Sequence, residues 1–179
     1  MKIIEGKFSD KHITYRAREG QRVTGEKVRK AVFDMLKQYI DFNGASIADV
    51  FAGSGIYGFE AMSRGGALCT FVDNSREGIK YIKETIEYFG LKNTTTPLCT
   101  TWDRFISQNT TEFNIVFLDP PYFDFDFEKL SGVDALVKSG GIVVIESSKK
   151  IKLPVMAESM IQLETRTYGD VRVDFFRKK

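Results

Sequence analysis

The strongest constraint on the fold of this chain is an apolar run that breaks on a glycine corner and restarts as a helix. Ile47-Ala48-Asp49-Val50-Phe51 leads into Ala52-Gly53-Ser54-Gly55-Ile56-Tyr57-Gly58, and Phe59-Glu60-Ala61-Met62-Ser63-Arg64 continues with a helical pattern. Strand, glycine loop and helix form the first half of a βαβ unit, and the glycines permit tight turning and close approach of backbone to a ligand. The same alternation continues along the chain. Strands are expected near 46–51, 68–73, 96–99, 113–118 and 141–146, with helices near 56–64, 76–89, 102–108 and 126–138. Upstream, a hairpin-like segment runs to about Tyr15, and Thr24 or Gly25 caps a helix with the apolar stripe Val28, Ala31, Val32, Met35 and Leu36. A final strand pair near 160–168 and 171–177, joined by Gly169-Asp170, reads as a hairpin. The pattern is α/β and Rossmann-like, and 179 residues suit one compact domain.

Gly53, Gly55 and Gly58 match the dinucleotide fingerprint G-x-G-x-x-G, a spacing that by itself does not identify the ligand. Asp73, closing the run Leu68-Cys69-Thr70-Phe71-Val72, stands where a carboxylate accepts hydrogen bonds from ribose hydroxyls, which suits NAD or an adenosine cofactor equally. Asp49 separates the two. A pyrophosphate on the glycine loop is repelled by a nearby carboxylate, whereas the ammonium and sulfonium of S-adenosylmethionine are favoured by one. The plainer role for Asp49 is to accept backbone N–H bonds within the loop.

Asp119-Pro120-Pro121-Tyr122 follows the apolar run Phe113-Asn114-Ile115-Val116-Phe117-Leu118. Each proline fixes its φ and donates no N–H, so the turn is stiff and rich in acceptors. The Asp119 side chain and the Pro120 carbonyl can converge on one –NH2 group, and the Tyr122 ring offers a face to a planar base. An ordinary strand-to-loop turn is the plainer reading of a Pro-Pro pair.

Together these motifs resemble the class I S-adenosylmethionine-dependent methyltransferases that act on amino groups, and more narrowly the small-subunit rRNA guanine-N2 methyltransferases of the RsmD type. The resemblance runs nearly end to end, through Ile3-Ile4-Glu5-Gly6-Lys7-Phe8, the segment Arg22 to Leu36, Phe51-Ala52-Gly53-Ser54-Gly55, Glu60-Ala61-Met62-Ser63-Arg64-Gly65 and the Asp119 tetrad. The chain has Arg22-Val23-Thr24 where that family usually has Arg-Pro-Thr, and Asp73 where it tends to have glutamate. The resemblance implies a seven-stranded, mostly parallel sheet with one antiparallel strand over residues 24–179, preceded by a basic extension at 1–23. It implies S-adenosylmethionine as cofactor, held by Asp49, Phe51, Gly53, Ser54, Gly55, Asp73, Asn74, Trp102 and Asp103. Asp119, Pro120, Pro121 and Tyr122 would be the catalytic set. A core Trp102 and an N-capping Asp103 are equally good explanations of that pair. A DNA adenine-N6 methyltransferase, a protein-glutamine methyltransferase and a non-catalytic RNA-binding module with the same fold are the competing readings.

The net charge of +2 conceals a division, since residues 1–40 carry +5 and the remainder −3. Lys7, Lys11, Arg16, Arg18, Arg22, Lys27, Arg29 and Lys30 alternate with Phe8, His12 and Tyr15, a pattern suited to a phosphate backbone and unstacked bases; a solvated hairpin and helix face is the alternative. The expected partner is 16S rRNA, free or in the assembling small ribosomal subunit, bound by a monomer. No apolar run spans a bilayer and no secretory leader is evident, so a cytoplasmic protein without membrane contact is expected. His12, the only histidine, has no identifiable carboxylate partner and receives no role. Cys69 and Cys99 have no metal-binding spacing and read as buried thiols, so no metal is expected.

Overall fold

The computed structural model describes residues 1–15, 25–122 and 125–179. Helix α1 (Glu26–Leu36) precedes β1 (Ser46–Val50), α2 (Ile56–Ser63), β2 (Leu68–Asp73), α3 (Arg76–Phe89), β3 (Thr95–Cys99), α4 (Trp102–Gln108) and β4 (Phe113–Leu118). A 3₁₀ helix (Phe127–Leu136), β5 (Val137–Ser148), β6 (Met160–Tyr168) and β7 (Val171–Lys178) complete the chain. The strands form one seven-stranded sheet in the order β3-β2-β1-β4-β5-β7-β6. All neighbours from β3 to β5 pair in parallel, and β7 runs antiparallel to both β5 and β6. The expected mostly parallel sheet with one reversed strand is therefore present, as is the closing hairpin, whose Gly169 turns with φ +63°.

Side-chain alternation divides the core between the two faces of the sheet. Ile115 and Phe117 of β4, with Ile142 and Val144 of β5, pack toward α1, α2 and α3. Val116, Leu118, Val143 and Ile145 pack toward α4 and the 3₁₀ helix. Both faces being covered explains why these strands read as unbroken apolar runs.

The segment expected as an α-helix near 126–138 is instead 3₁₀, and β5 begins at Val137 rather than near 141. The buried residues of that helix are Phe127, Leu130, Val133 and Leu136, a repeat of three that matches three residues per turn and not 3.6. Strand β5 starts early through a bulge, with Val137 opposite Phe113 and Ile142 opposite Ile115. Helix α1 begins after Gly25, which supplies no side-chain cap; Thr24 lies outside the described residues.

The N-terminal segment shares the main core and is not set apart from it. Ile3, Phe8 and Ile13 are buried against α1, α2 and α3, and Lys2 bridges antiparallel to His12. Fully buried Glu60 accepts the N–H groups of Ile4 (2.7 Å) and Glu5 (3.1 Å) and pairs with the Arg64 guanidinium at 2.7 Å. Ser63 accepts the Phe8 N–H at 2.9 Å and donates to the Glu5 carbonyl at 2.6 Å. At Gly6 (φ +89°) an added Cβ would lie 2.0 Å from the Ser63 carbonyl, so backbone meets backbone with no room for a side chain.

Candidate active site

Asp49, Asp73 and Asp119 stand at the carboxyl ends of three adjacent parallel strands, where open α/β sheets bind ligands. Asp49 lies within β1, one residue before its end, opposite Phe71 and Phe117. Asp73 is the last residue of β2. Asp119 follows β4, and its N–H reaches the Val50 carbonyl at 3.4 Å, which joins the two strand ends.

Between β1 and α2 the chain turns through left-handed conformations at Phe51 (φ +61°), Gly53 (+52°) and Gly55 (+74°). Glycine adopts this geometry without strain, whereas a non-glycine residue there costs about 1–3 kcal/mol. At Phe51 aromatic packing offsets that cost. Its ring lies 5.9 Å from Trp102 at 24° and meets Phe125 edge-on at 4.9 Å. The Asp73 carboxylate holds the corner, accepting the N–H of Gly53 on one oxygen and that of Ser75 on the other, each at 2.7 Å. Each carboxylate oxygen retains a lone-pair site. Ser54 is buried and accepts the Ile56 N–H at 3.3 Å. Gly58 lets α2 approach β2, since an added Cβ would stand 2.4 Å from the Phe71 ring and 2.8 Å from the Cys69 sulfur.

Asp49 is drawn into the core beneath the glycine corner. It is 2% exposed and accepts the Gly58 N–H at 2.8 Å, so the plainer role of backbone acceptor is filled. Burial pushes its carboxyl up to about 8; the Gly58 N–H opposes the shift and the charge of Asp73 adds to it. Its charge is thus suppressed at neutral pH.

Two tyrosines and a glutamate join the glycine corner to the proline corner. Tyr57 of α2 donates to one oxygen of Glu146 on β5 at 2.8 Å, and Tyr122 donates to the other at 3.3 Å. Burial, then the charges of Glu146 and Asp119, hold the Tyr57 phenol well above its usual range. Neither Glu146 nor Tyr57 was expected from the sequence. The available signal was the charge that closes the apolar run Ile142–Ile145, as Asp73 and Asp119 close theirs.

The aromatic and polar groups fit an adenosine cofactor. Asp73 can accept ribose hydroxyls beside its two N–H partners, and the rings of Phe51, Trp102 and Phe125 cluster at the same edge. The buried Thr100 hydroxyl just past β3 lacks a hydrogen-bond partner there. Exposed Asn74 adjoins Asp73. Trp102 is buried, as its core reading requires, but Asp103 is not the cap: Thr101 caps α4, while Asp103 is exposed and pairs with Lys129 at 2.8 Å. Pro120 is buried, Pro121 exposed and Tyr122 half-buried.

The basic N-terminal set divides. Arg16, Arg18 and Arg22 lie outside the described residues. Lys7, Lys11, Lys27 and Lys30 are exposed, with Lys30 paired to Asp34 at 2.6 Å. Arg29 is not a surface cation: it is 1% exposed and donates to the Lys2 carbonyl. Phe8 is likewise unavailable to a base, being buried and stacked on Phe89 at 4.4 Å. Cys99, expected as buried, is exposed, and both cysteines are free thiols. Among the described residues no helix is long and apolar enough to cross a membrane.

Comparison with known proteins agrees with this architecture. The family model described as conserved hypothetical protein 95 matches residues 1–177. YlbH of Bacillus subtilis strain 168 is 29% identical over 188 residues, covering 100% of both chains. The protein named ribosomal RNA small subunit methyltransferase D of Haemophilus influenzae is 28% identical, covering 96% of this chain and 90% of its own. The solved structure of yhhF from Escherichia coli superposes with a TM-score of 0.88 at 21% identity over 100% of this chain and 98% of that one, a likeness of fold. With nearly its whole length matched by one family model, the chain belongs to the conserved hypothetical protein 95 family, the RsmD type.

Proposed function

We propose that this protein is an S-adenosylmethionine-dependent methyltransferase that modifies the exocyclic N2 of a guanosine in small-subunit rRNA. The observation that carries the reading is the shared carboxyl edge, where the Asp73-held glycine corner lies beside the Asp119 corner. The relative named as a small-subunit rRNA methyltransferase supports the choice of RNA.

When bound, S-adenosylmethionine supplies an electrophilic methyl group. Asp73, the backbone of the glycine corner and the Phe51–Trp102 pair would hold its adenosine part. An exocyclic amine is a weak nucleophile because its lone pair is delocalised into the ring. Accepting its two N–H bonds, the Asp119 carboxylate and the Pro120 carbonyl orient the nitrogen and stabilise the positive charge that develops on it. Tyr122 stacks on the base, and Asp119 or water takes the proton that the methylated nitrogen sheds. A strong general base is unnecessary. Access to the amine requires an unstacked nucleotide, and Lys7, Lys11, Lys27 and Lys30 steer the phosphate backbone toward the edge.

Incubating the protein with methyl-labelled S-adenosylmethionine and 16S rRNA, assembled small subunits, duplex DNA or protein substrates tests this reading. Label is expected in the ribosomal RNA. Label confined to DNA or protein contradicts it.

A further inference from the structure

Glu146 is 3% exposed at the carboxyl end of β5. Burying a carboxylate is costly without partners. Here its oxygens take phenols from two different elements: Tyr57 of the helix that follows the glycine corner, and Tyr122 of the proline-stiffened corner. These anchors are unequal. Tyr57 is buried, and its ring stacks on Phe117 at 5.0 Å and 18°, so core packing fixes that phenol. Tyr122 is half-buried. For a ring on a surface corner, a hydrogen bond at the hydroxyl tip restrains both side-chain torsions at once.

We infer that Glu146 is a positioning residue: it holds the Tyr122 ring at the angle at which the target base stacks, and through Tyr57 it ties that ring to the cofactor corner. The inference rests on the methyltransferase reading of the site. Displacing a reacting group by about 1 Å can lower a rate on the order of 100-fold. A carboxylate present only to satisfy these two phenols would affect stability and leave the chemistry alone.

The test compares the full chain with Glu146→Gln, Tyr122→Phe and the double variant. Glutamine keeps the shape but offers one acceptor oxygen where glutamate has two. Each single variant is expected to lower kcat/KM for the RNA by roughly ten- to 100-fold, with S-adenosylhomocysteine affinity by calorimetry within about three-fold of wild type. The double variant should be no slower than the worse single one, because both changes remove the same restraint. Undiminished rates, losses that multiply, or cofactor affinity falling in step with rate would each overturn the inference. Should Glu146→Gln fail to fold, Tyr122→Phe decides alone, since it removes only the hydroxyl; an unchanged rate then overturns it. If wild-type protein methylates no RNA, the functional reading fails, and ring dynamics decide this inference separately. In protein carrying ¹³C-labelled tyrosine, Glu146→Gln should speed flipping of the Tyr122 ring, and unchanged line shapes would overturn the restraint itself.

Discussion

Asp73 accepts the Gly53 N–H at 2.7 Å, so the acidic end of β2 holds the glycine corner that leaves β1. Its other oxygen takes the N–H of Ser75, the residue that caps α3. One carboxylate therefore ties the glycine corner and the start of α3 to the end of one strand.

Asp73→Ala should consequently act twice. Two backbone donors lose their acceptor, which costs about 1–3 kcal/mol of stability apiece where no water replaces it. The ribose loses its acceptor as well, so S-adenosylhomocysteine affinity should fall by at least about ten-fold. Chemical denaturation and calorimetry measure the two effects, and unchanged calorimetric affinity would refute the assignment of Asp73.

Gly58→Ala sets two effects against each other. Alanine gains about 0.5–1 kcal/mol over glycine inside a helix. The added methyl would stand 2.4 Å from the Phe71 ring and 2.8 Å from the Cys69 sulfur, both in the buried core, and overpacking typically costs about 1–3 kcal/mol. The clash should prevail and lower Tm. An equal or higher Tm would show that α2 can move away from β2 freely.

Asp49 makes stability depend on pH in the direction opposite to an ordinary carboxylate. Its folded pKa of about 8 exceeds the value of about 3.9 in an unfolded chain. Below the unfolded value both states hold the proton and the contribution is fully present. Between about pH 4 and 8 only the folded state retains it, so stability falls as pH rises, by at most about 1.4 kcal/mol per unit. Asp49→Asn removes that slope. Denaturation at several pH values should show the asparagine variant gaining on wild type from pH 4 to 8; a constant difference would contradict the buried proton.

Arg29 and the exposed lysines should separate cleanly. Arg29→Ala removes a buried guanidinium from beside the Lys2 carbonyl, so it should lower Tm. Lys7→Ala with Lys11→Ala leaves the core intact. That pair should weaken RNA binding and reduce the magnitude of its salt slope by about 0.7–0.9 for each phosphate that is no longer neutralised. A salt series on 16S rRNA checks this, and an unchanged slope removes the two lysines from the RNA interface.

Much of this was legible because both faces of the sheet are covered and the strands announce themselves as apolar runs ending in acids. Asp73 and Asp119 could be placed by that signal alone. What escaped were features set by tertiary partners. Arg29 sits in a helical pattern that marks it as polar surface, yet the N-terminal segment folds over it and supplies a carbonyl. Phe8 looked available to a base until Phe89, 81 residues away in the sequence, stacked on it. Phe127, Leu130, Val133 and Leu136 repeat every three residues, a spacing that a 3.6-residue template absorbs with small error. Glu146 carried the same run-ending charge as the others, but its phenolic partners come from residues 57 and 122 and only the fold unites them.

The most direct test is the identity of the methylated nucleoside. RNA from small subunits treated with methyl-labelled S-adenosylmethionine should, after digestion, yield labelled N2-methylguanosine with wild-type protein. With Asp119→Ala it should yield none, while S-adenosylhomocysteine affinity stays near wild type. Label in a different nucleoside, or undiminished transfer by Asp119→Ala, would contradict an amine held by the Asp119 corner.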